Sequence, residues 1–379
     1  MAEIDTSSAV GYHYGSFPPV KLDYQSLMDP LTKTTASLTR YDEMLRTMPN
    51  SEILLAPLRR QEAVVSSRME GTISTLDEIL RIEADEESGN VNAFQNARTE
   101  GVETLLYSRA MQRIQVQMAD GQPISKWLIR SAHQMLLSYG RGASLGPGAF
   151  KTEQNYIGER RRGSVSFIPI SPEKLDSGMD DLLEFSNDET VTPLLRIALA
   201  HVEFEALHPF KDGNGRVGRM LITIMLWDLG LIREPYFYVS AYLEEMRDEY
   251  IELMRRVSSH GDWTEWCLFF LTALDEQASR NIDTATKVFA LYDQMKEKFR
   301  DKLNSPWAMD ALDFMFANPV FRNNNFTQKS GIPSHVAMRM TRTLRDENVI
   351  IQIEASSGPR PAMYSFEPLL ELVRDDRMF

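Results

Sequence analysis

A mainly α-helical fold, with one β-hairpin and a small mixed module near its end, is predicted by the sequence. From Leu31 onward, apolar residues recur at three- and four-residue spacing over most of the chain, as in amphipathic helices. Residues 154–169 interrupt this rhythm with alternating apolar and polar residues, as in half-buried strands. Beyond Leu303, short helix-like and strand-like segments follow one another.

The spacing of apolar residues separates an N-terminal arm from the helices that follow it. Residues 1–30 hold three prolines and little periodicity, so we expect an extended arm. Gly230 is expected to cap the helix that precedes it. Few charges interrupt residues 192–207, which predicts a helix that is buried nearly all round. The predicted helices are Thr35–Met48, Ile53–Ser67, Asn92–Val116, Thr192–Leu207, Arg216–Leu229, Ala241–Val257 and Thr264–Lys298.

Residues 154–169 alternate around a centre rich in glycine and arginine, which predicts a β-hairpin with a loose tip. Two interpretations of the tip arginines, 160–162, stay open. They form either a solvated loop or a contact with a partner.

The last part of the chain is predicted to form a winged-helix module. Helices are expected at Met309–Phe316 and Ser334–Glu347, and two strands at Val349–Glu354 and Pro361–Ser365. Helices followed by a β-wing are typical of that motif. The predicted domains are a helical N-terminal region (1–115), a helical core (116–300) and a winged-helix-like domain (301–379).

Composition excludes several classes of protein. The 379 residues include 54 acidic and 41 basic ones, for a net charge of −13, which argues against bulk nucleic-acid binding. No apolar run reaches the roughly 18–20 residues of a membrane span. The first five residues resemble no signal peptide. The single cysteine, Cys267, excludes an intramolecular disulfide and is expected in the core. We therefore expect a cytoplasmic protein.

An anion site is predicted within residues 208–219, His-Pro-Phe-Lys-Asp-Gly-Asn-Gly-Arg-Val-Gly-Arg. Gly213 and Gly215 flank Asn214, so the backbone can turn tightly and present N–H groups at a helix start, where the helix dipole favours phosphate. Arg216 and Arg219 are three residues apart and are predicted to clamp a polyphosphate from one helix face.

Two more residues of this segment supply metal and proton chemistry. Asp212 is a single hard carboxylate, which suits Mg²⁺ when phosphate oxygens and water provide its other ligands. His208 can accept a proton near neutral pH. Phosphoryl and nucleotidyl transfer need this combination of positioning, charge neutralisation and a base. The competing interpretation is a helix–helix turn with surface arginines, and the density of these residue types disfavours it.

Three other motif interpretations fail. Residues 213–218 satisfy G-x-G-x-x-G, but the preceding residues predict a buried helix rather than the strand of a dinucleotide-binding unit. No Gly-Lys-Ser/Thr follows, so a Walker loop is excluded. His201 and His208 lack the spacing of a zincin site.

The same twelve residues match the signature of the Fic (filamentation induced by cAMP) family, His-Pro-Phe-x-Asp-Gly-Asn-Gly-Arg-x-x-Arg, at every specified position. Residues 154–169 resemble the flap of that family, and residues 238–242 and 261–266 resemble its later segments. The resemblance covers about residues 40–280 and implies a Fic-type helical core with a small β-hairpin flap. One departure is Pro169-Ile170, where the family typically has Pro-Pro.

This resemblance implies a protein adenylyltransferase, which moves AMP from ATP to a Tyr, Thr or Ser hydroxyl of a target protein and releases pyrophosphate. It implies that His208 is the base and that Asp212 holds Mg²⁺. Tyr242 is expected either against adenine or in the core. Nucleotide binding is implied for Gly213, Asn214, Gly215, Arg216, Val217, Gly218 and Arg219. The implied target-docking residues of the flap, which would act by β-augmentation, are Tyr156, Ile157, Gly158, Phe167 and Ile168.

A second motif, residues 66–71, resembles the inhibitory pattern of the family, Ser/Thr-x-x-x-Glu-Gly/Asn. Its place before the core implies the class with an N-terminal inhibitory helix, in which Ser66, Glu70 and Gly71 carry the motif. The carboxylate of Glu70 would pair with Arg219, which otherwise receives the γ-phosphate of ATP. The competing interpretation is a helix end with Glu70 in solvent and Gly71 as its cap.

An autoinhibited protein adenylyltransferase is thus the leading hypothesis. The alternatives are AMP removal, another nucleotide or phosphate transferase of this fold, and a DNA-binding regulator whose core senses a nucleotide. Arg339, Arg342 and Arg345 recur every three residues, as in a recognition helix. Residues 302–379 hold nine basic and nine acidic residues, which favours protein contact or a homodimer over DNA. Self-modification is a further expectation.

Overall fold

The computed structural model describes residues 6–48, 51–159 and 164–374, without the side chains of residues 51–54 and 159. These residues form fifteen α-helices and six short β-strands, which confirms the predicted mainly α-helical fold. No helix among them is both long and apolar enough to cross a membrane.

The helices before the phosphate motif are α1 (Tyr24–Thr47), α2 (Ser51–Met69), α3 (Leu76–Glu87), α4 (Thr99–Ala119), α5 (Lys126–Leu136), α6 (Pro172–Ser186) and α7 (Pro193–Leu207). Those within and after it are α8 (Asn214–Asp228), α9 (Ser240–Glu245), α10 (Arg247–His260), α11 (Trp263–Leu303), α12 (Ala308–Ala317), α13 (Asn323–Lys329), α14 (Ser334–Asp346) and α15 (Glu367–Val373). The strands are β1 (Val10–Gly11), β2 (Ile157–Glu159), β3 (Ser164–Ile168), β4 (Val320–Arg322), β5 (Ile351–Glu354) and β6 (Met363–Ser365).

Two compact units, each built from two segments, make up the chain. The first unit contains residues 1–42 and 109–278, and the second contains residues 43–108 and 279–379. The predicted domain limits, at residues 115 and 300, stay a prediction.

In the first unit, α7 packs against both α6 and α8. Nearly every residue of α7 is buried, as predicted, because its sequence is apolar around the whole circumference. At Gly218 of α8, a Cβ atom would lie 2.2 Å from the Glu205 Oε1 atom and 3.2 Å from the Phe204 Cδ1 atom of α7. Gly218, predicted as a nucleotide-binding residue, therefore lets these two helices pack.

The predicted hairpin is present as β2 and β3, which pair antiparallel. A β-bulge at Ile157 and Gly158 needs glycine, because a Cβ on Gly158 would lie 2.2 Å from the Ser164 carbonyl oxygen. Strand β1 adds parallel to β3, which gives the order β1-β3-β2. The predicted arginine tip, residues 160–163, lies outside the described residues.

In the second unit, α2 packs against α3 and α12, and the strands form a sheet of order β4-β6-β5. The predicted helices α12 and α14 and strands β5 and β6 are present, whereas α13 and β4 were not predicted. The buried Arg322 donates to Asp85, to Glu354 and to the Pro361 carbonyl oxygen, which joins α3 to this sheet. That the module is a winged helix stays a prediction.

Some predicted boundaries were wrong. The expected arm ends at Asp23, whose carboxylate accepts the N–H groups of Gln25 and Ser26 and so caps α1. The helix predicted over 92–116 begins only at Thr99, after a run of turns. The helix predicted over 241–257 is broken at Met246, between α9 and α10.

Five helices were not predicted, namely α3, α5, α6, α13 and α15. The sequence holds signals for two of them. Thr75 caps α3, because its side chain accepts a hydrogen bond from the Glu78 N–H. In the same way, Ser125 caps α5 by accepting a hydrogen bond from the Leu128 N–H. Thr75 and Glu78 also have the spacing of a capping box, which marks a helix start.

We predict that Gly218→Ala lowers the unfolding free energy by about 1–3 kcal/mol, because the added methyl group displaces the Glu205 carboxylate and crowds the Phe204 ring on α7. Urea denaturation of the parent and the variant measures the difference. Gly11→Ala is the matched control, since a Cβ there meets nothing within 4 Å, and its effect should stay within about 0.5 kcal/mol. Equal stability of Gly218→Ala and the parent would contradict the packing role.

Candidate active site

The phosphate motif forms the loop between α7 and α8. His208 ends α7 in the left-handed conformation, with φ 46° and ψ 62°. Gly213, with φ 78°, begins α8. Only glycine adopts this second conformation at little cost, so the two turns bring His208 beside the N-terminus of α8, as the sequence predicts.

Two asparagine side chains hold the backbone of this loop. Asn214 accepts the Phe210 N–H and donates to the Phe210 carbonyl oxygen, each at 2.8 Å. The side chain of Asn155 donates to the carbonyl oxygens of His208, at 3.0 Å, and Phe210, at 3.1 Å. The side chain of Asn214 is therefore engaged inside the loop, and its backbone N–H is the group suited to an anion. Asn155 was not predicted as a site residue.

Asn155 is itself held by Lys151. The buried Nζ atom of Lys151 donates to Asn155 Oδ1 at 2.7 Å and to the Leu207 carbonyl oxygen at 3.0 Å. Its backbone N–H donates to the Pro209 carbonyl oxygen at 2.8 Å. Burial lowers the pKa of Lys151 to about 7, because a desolvated ammonium is disfavoured.

From the other side the loop is supported by His133, on α5. Its ring stacks on Phe210 with centroids 3.7 Å apart. The Gly148 N–H donates to Nδ1 at 2.8 Å, so Nε2 carries the proton and donates to the Asp212 carbonyl oxygen at 2.9 Å. Burial lowers the pKa of His133 to about 4, which keeps the ring neutral in this role. A lone histidine in an amphipathic segment offers no sequence signal for such a contact.

The imidazole of His208 is half-buried and oriented by its own helix. Its Nδ1 atom lies 3.3 Å from the Glu205 carbonyl oxygen. A carbonyl oxygen only accepts, so this contact places the proton of the neutral ring on Nδ1 and the lone pair on Nε2. That is the tautomer in which Nε2 can act as a base.

Asp212 has the accessibility and donor chemistry of a magnesium ligand. Its side chain is 40% exposed, and its Oδ2 atom lies 3.9 Å from Arg216 Nη2. The Oδ1 atom accepts the Gly213 N–H at 2.8 Å. Among the described residues, no group of three or more His, Cys, Asp or Glu side chains is arranged for a metal. One exposed carboxylate fits Mg²⁺ that is bound mainly by phosphate and water oxygens.

The two arginines of the motif are both buried, at 2% exposure for Arg216 and 3% for Arg219. Each influences a different histidine, since the charge of Arg216 helps lower the pKa of His133 and that of Arg219 helps lower the pKa of His201. Val217 is buried between them, so its side chain belongs to the core.

Tyr242, with its two expected roles, lies on α9 in the first unit. Its N–H donates to the buried Gln277 Oε1 atom at 3.1 Å. Its half-buried ring lies 6.3 Å from that of Phe269. The two roles expected for Tyr242 both stay predictions.

The second predicted motif ends α2 in the second unit. The Gly71 N–H donates to the Arg68 carbonyl oxygen and the Thr72 N–H to that of Ser67. With φ 80° at Gly71, this is a Schellman cap. Ser66 is fully buried, whereas Glu70 is exposed in the turn. The cap expected for Gly71 is therefore present.

Two family models match the sequence of this chain. The family model "Fic/DOC family N-terminal" matches residues 28–113 and the model "Fic/DOC family" matches residues 123–226, together about half of the chain. The chain belongs to the Fic/DOC family.

Curated relatives carry the name protein adenylyltransferase. The fic-1 protein of Caenorhabditis briggsae is 31% identical over 164 residues, which are 36% of this chain and 31% of the relative. The fic-1 protein of Caenorhabditis elegans is 36% identical over 86 residues, which are 22% of this chain and 16% of the relative. The chain thus spans less than a third of the length of these relatives.

Solved structures show the same fold. A Fic family protein from Desulfovibrio desulfuricans has a TM-score of 0.57 at 17% identity, over 92% of this chain and 98% of that one. A Fic domain-containing signalling protein from Bacteroides thetaiotaomicron has a TM-score of 0.52 at 19% identity, over 68% of this chain and 97% of that one. At these identities the likeness concerns the fold alone.

We predict that the pH dependence of stability reports the neutral state of His133. Its pKa is about 4 when folded, against an ordinary 6.5, so the unfolded chain takes up the proton first as the pH falls. Stability should therefore decrease by about 3 kcal/mol between pH 6.5 and 4 from this group.

His133→Gln tests this, because glutamine keeps one acceptor and one donor but does not titrate. Urea unfolding between pH 7 and pH 4 should show a shallower loss of stability in the variant than in the parent. Parallel curves for the two proteins would contradict a buried neutral His133.

Proposed function

We propose that this chain is an autoinhibited protein adenylyltransferase, which transfers AMP from ATP to the hydroxyl group of a Tyr, Thr or Ser residue on a target protein and releases pyrophosphate. The observation that carries the proposal is the orientation of His208, whose Nδ1–H is bound to the Glu205 carbonyl oxygen beside a helix N-terminus begun by Gly213. The names of the curated relatives support it.

The chemistry follows from this placement. The Nε2 atom of His208 accepts the proton of the target hydroxyl, and the oxygen attacks the α-phosphorus of ATP. The bond from that phosphorus to the bridging oxygen breaks, and pyrophosphate carries the electron pair away. Backbone N–H groups from Gly213 to Gly215 and the guanidinium groups of Arg216 and Arg219 would bind the phosphates.

We propose one protein ligand for the metal ion. Asp212 would hold Mg²⁺, and the bound ion would neutralise phosphate charge. The Gly213 N–H on Asp212 Oδ1 fixes the direction of the carboxylate before any ligand arrives. The Arg216 Nη2 atom lies 3.9 Å from Oδ2, so a positive charge stands beside the proposed metal ligand.

Target docking is proposed at the flap. Strand β2 is at the edge of its sheet, whereas β3 is in the middle with β1 on its other side. An extended target segment would add beside β2, at Tyr156, Ile157 and Gly158, because an edge strand offers unpaired backbone groups. Phe167 and Ile168 pair with β1 and would hold the flap at the edge opposite to β2.

Autoinhibition is proposed through Glu70. Its carboxylate and the γ-phosphate of ATP would compete for the guanidinium of Arg219, since both form charge-assisted pairs. ATP would then bind with its α-phosphorus out of line with the target hydroxyl. A Glu70 that instead orients water would make the protein an AMP-removing enzyme, and the Glu70 variant below distinguishes the two.

For the C-terminal module, we propose contact with protein, including a second copy of this chain, rather than with DNA. Arg345 is paired with Asp346, and Arg360 is paired with Asp85 and Glu354. These acidic neighbours cancel much of the positive charge that binding to a phosphate backbone requires. The proposed location is the cytoplasm.

We predict that His208→Ala abolishes AMP transfer while ATP still binds. Removing a general base typically lowers a rate by about 10²–10⁴-fold, and the imidazole contributes little to phosphate binding. Transfer is measured with α-labelled ATP and Mg²⁺ as label retained on the protein. The matched control is His260→Ala, at an exposed position, which should label like the parent. Undiminished labelling by folded His208→Ala would rule out this base.

We further predict that Glu70→Gly increases labelling, because the carboxylate no longer competes for the arginine. Glu70→Gln removes the charge but not the size of the side chain, so it should increase labelling as well. Glu371→Gln, at another exposed glutamate, is the matched control and should leave labelling unchanged. Reduced labelling by both Glu70 variants with an intact fold would contradict inhibition and favour the AMP-removing alternative.

A further inference from the structure

A short N-terminal segment, Val10–Tyr14, runs along the flap. It is called the strap below. Val10 and Gly11 pair in parallel with Phe167 and Ile168. The Tyr12 N–H continues this ladder by donating to the Ile168 carbonyl oxygen at 2.9 Å. The strap thus covers the side of the hairpin opposite to the edge strand β2.

The strap is anchored by one buried carboxylate, that of Glu203. The Tyr12 hydroxyl donates to Glu203 Oε1 at 2.6 Å, and His13 Nε2 lies 2.8 Å from Glu203 Oε2. On its other side, His13 Nδ1 lies 2.7 Å from the Ser258 hydroxyl. Glu203 has no exposed surface. Burying a carboxylate costs free energy unless hydrogen bonds compensate for the lost water. The bonds from Tyr12 and His13 therefore stabilise Glu203, and the same bonds hold the strap in place.

Glu203 belongs to α7, the helix that ends at His208. Both ends of the flap are also bound to the end of this helix. Asn155, before β2, donates to the His208 carbonyl oxygen, and the N–H of Ile170, after β3, lies 3.4 Å from the Ala206 carbonyl oxygen. The last turns of α7 therefore carry the base, both ends of the flap and the anchor of the strap.

We propose that Tyr12, His13 and Glu203 are positioning residues for AMP transfer, which hold the strap against β3 and so fix the flap relative to His208. The inference rests on the proposed function, because it assigns the flap to target docking. The position of a target segment on β2 relative to His208 depends on the position of the hairpin. Misplacement of a reacting group by about 1 Å can cost roughly a hundredfold in rate.

The first test measures amide hydrogen exchange in the whole chain. Tyr12→Phe and Glu203→Gln should increase the exchange of residues 164–168 by about tenfold, because each weakens a hydrogen bond that keeps the strap in place. Tyr41→Phe is the matched control, since it removes a buried tyrosine hydroxyl bonded to the Tyr236 carbonyl oxygen. It should leave exchange in the flap unchanged.

The second test measures labelling by α-labelled ATP in the Glu70→Gly protein, with and without the strap substitutions. The maximal rate should fall by about ten- to a hundredfold, while the KM for ATP stays constant, because the phosphate site is untouched. A merely structural role would lower the rate equally in Tyr41→Phe.

Three results would overturn the proposal: unchanged exchange at residues 164–168, an equal increase in Tyr41→Phe, or full labelling activity despite faster exchange. The proposed function fails in a different way. In that case the Glu70→Gly protein without strap substitutions transfers no AMP, whatever the flap does.

Discussion

The hydrogen bonding of one loop backbone, between α7 and α8, is the constraint on which the site depends. Asn155 and Asn214 bind the carbonyl oxygens of His208 and Phe210, and His133 binds that of Asp212. A loop enclosed in this way cannot satisfy its peptide groups with water, so side chains must do so. The same bonds hold His208 and the N-terminus of α8 at fixed positions. Donors that are positioned before a ligand arrives are what the stabilisation of phosphate charge requires.

Burial keeps His133 in the protonation state that this loop needs. His133 is neutral because its pKa falls to about 4, and in that state one ring nitrogen accepts while the other donates. Lys151 is buried with carbonyl oxygens as partners, and its pKa falls to about 7. The desolvation that lowers the pKa of these two groups also strengthens their hydrogen bonds. Buried side chains thus support a loop in which the side chains of His208 and Asp212 are partly exposed.

The proposed inhibitory motif, residues 66–71, belongs to the second unit. It ends α2, and in the second unit α2 packs against α12 and α15. Arg60 of α2 bonds to Glu83 of α3 at 2.6 Å and to the Ala317 carbonyl oxygen, at the end of α12, at 3.3 Å. The helix that ends just before Glu70 is thereby built into the same unit as the C-terminal module. The Schellman cap at Gly71 fixes where α2 ends and Glu70 begins the turn.

Features that rest on neighbouring residues follow from the sequence alone. The motif from His208 to Arg219 is continuous, its glycines favour the conformation that begins α8, and periodicity alone predicts the burial of α7. The tertiary structure was needed to show which distant groups support that motif, namely His133 on the carbonyl oxygen of Asp212 and Asn155 on that of His208. It was also needed to show that Glu203 binds Tyr12. It also showed that Gly218 serves helix packing. The physical reason is that spacing along the chain records which face of an element is buried, whereas the choice of partner depends on how faces from remote segments meet.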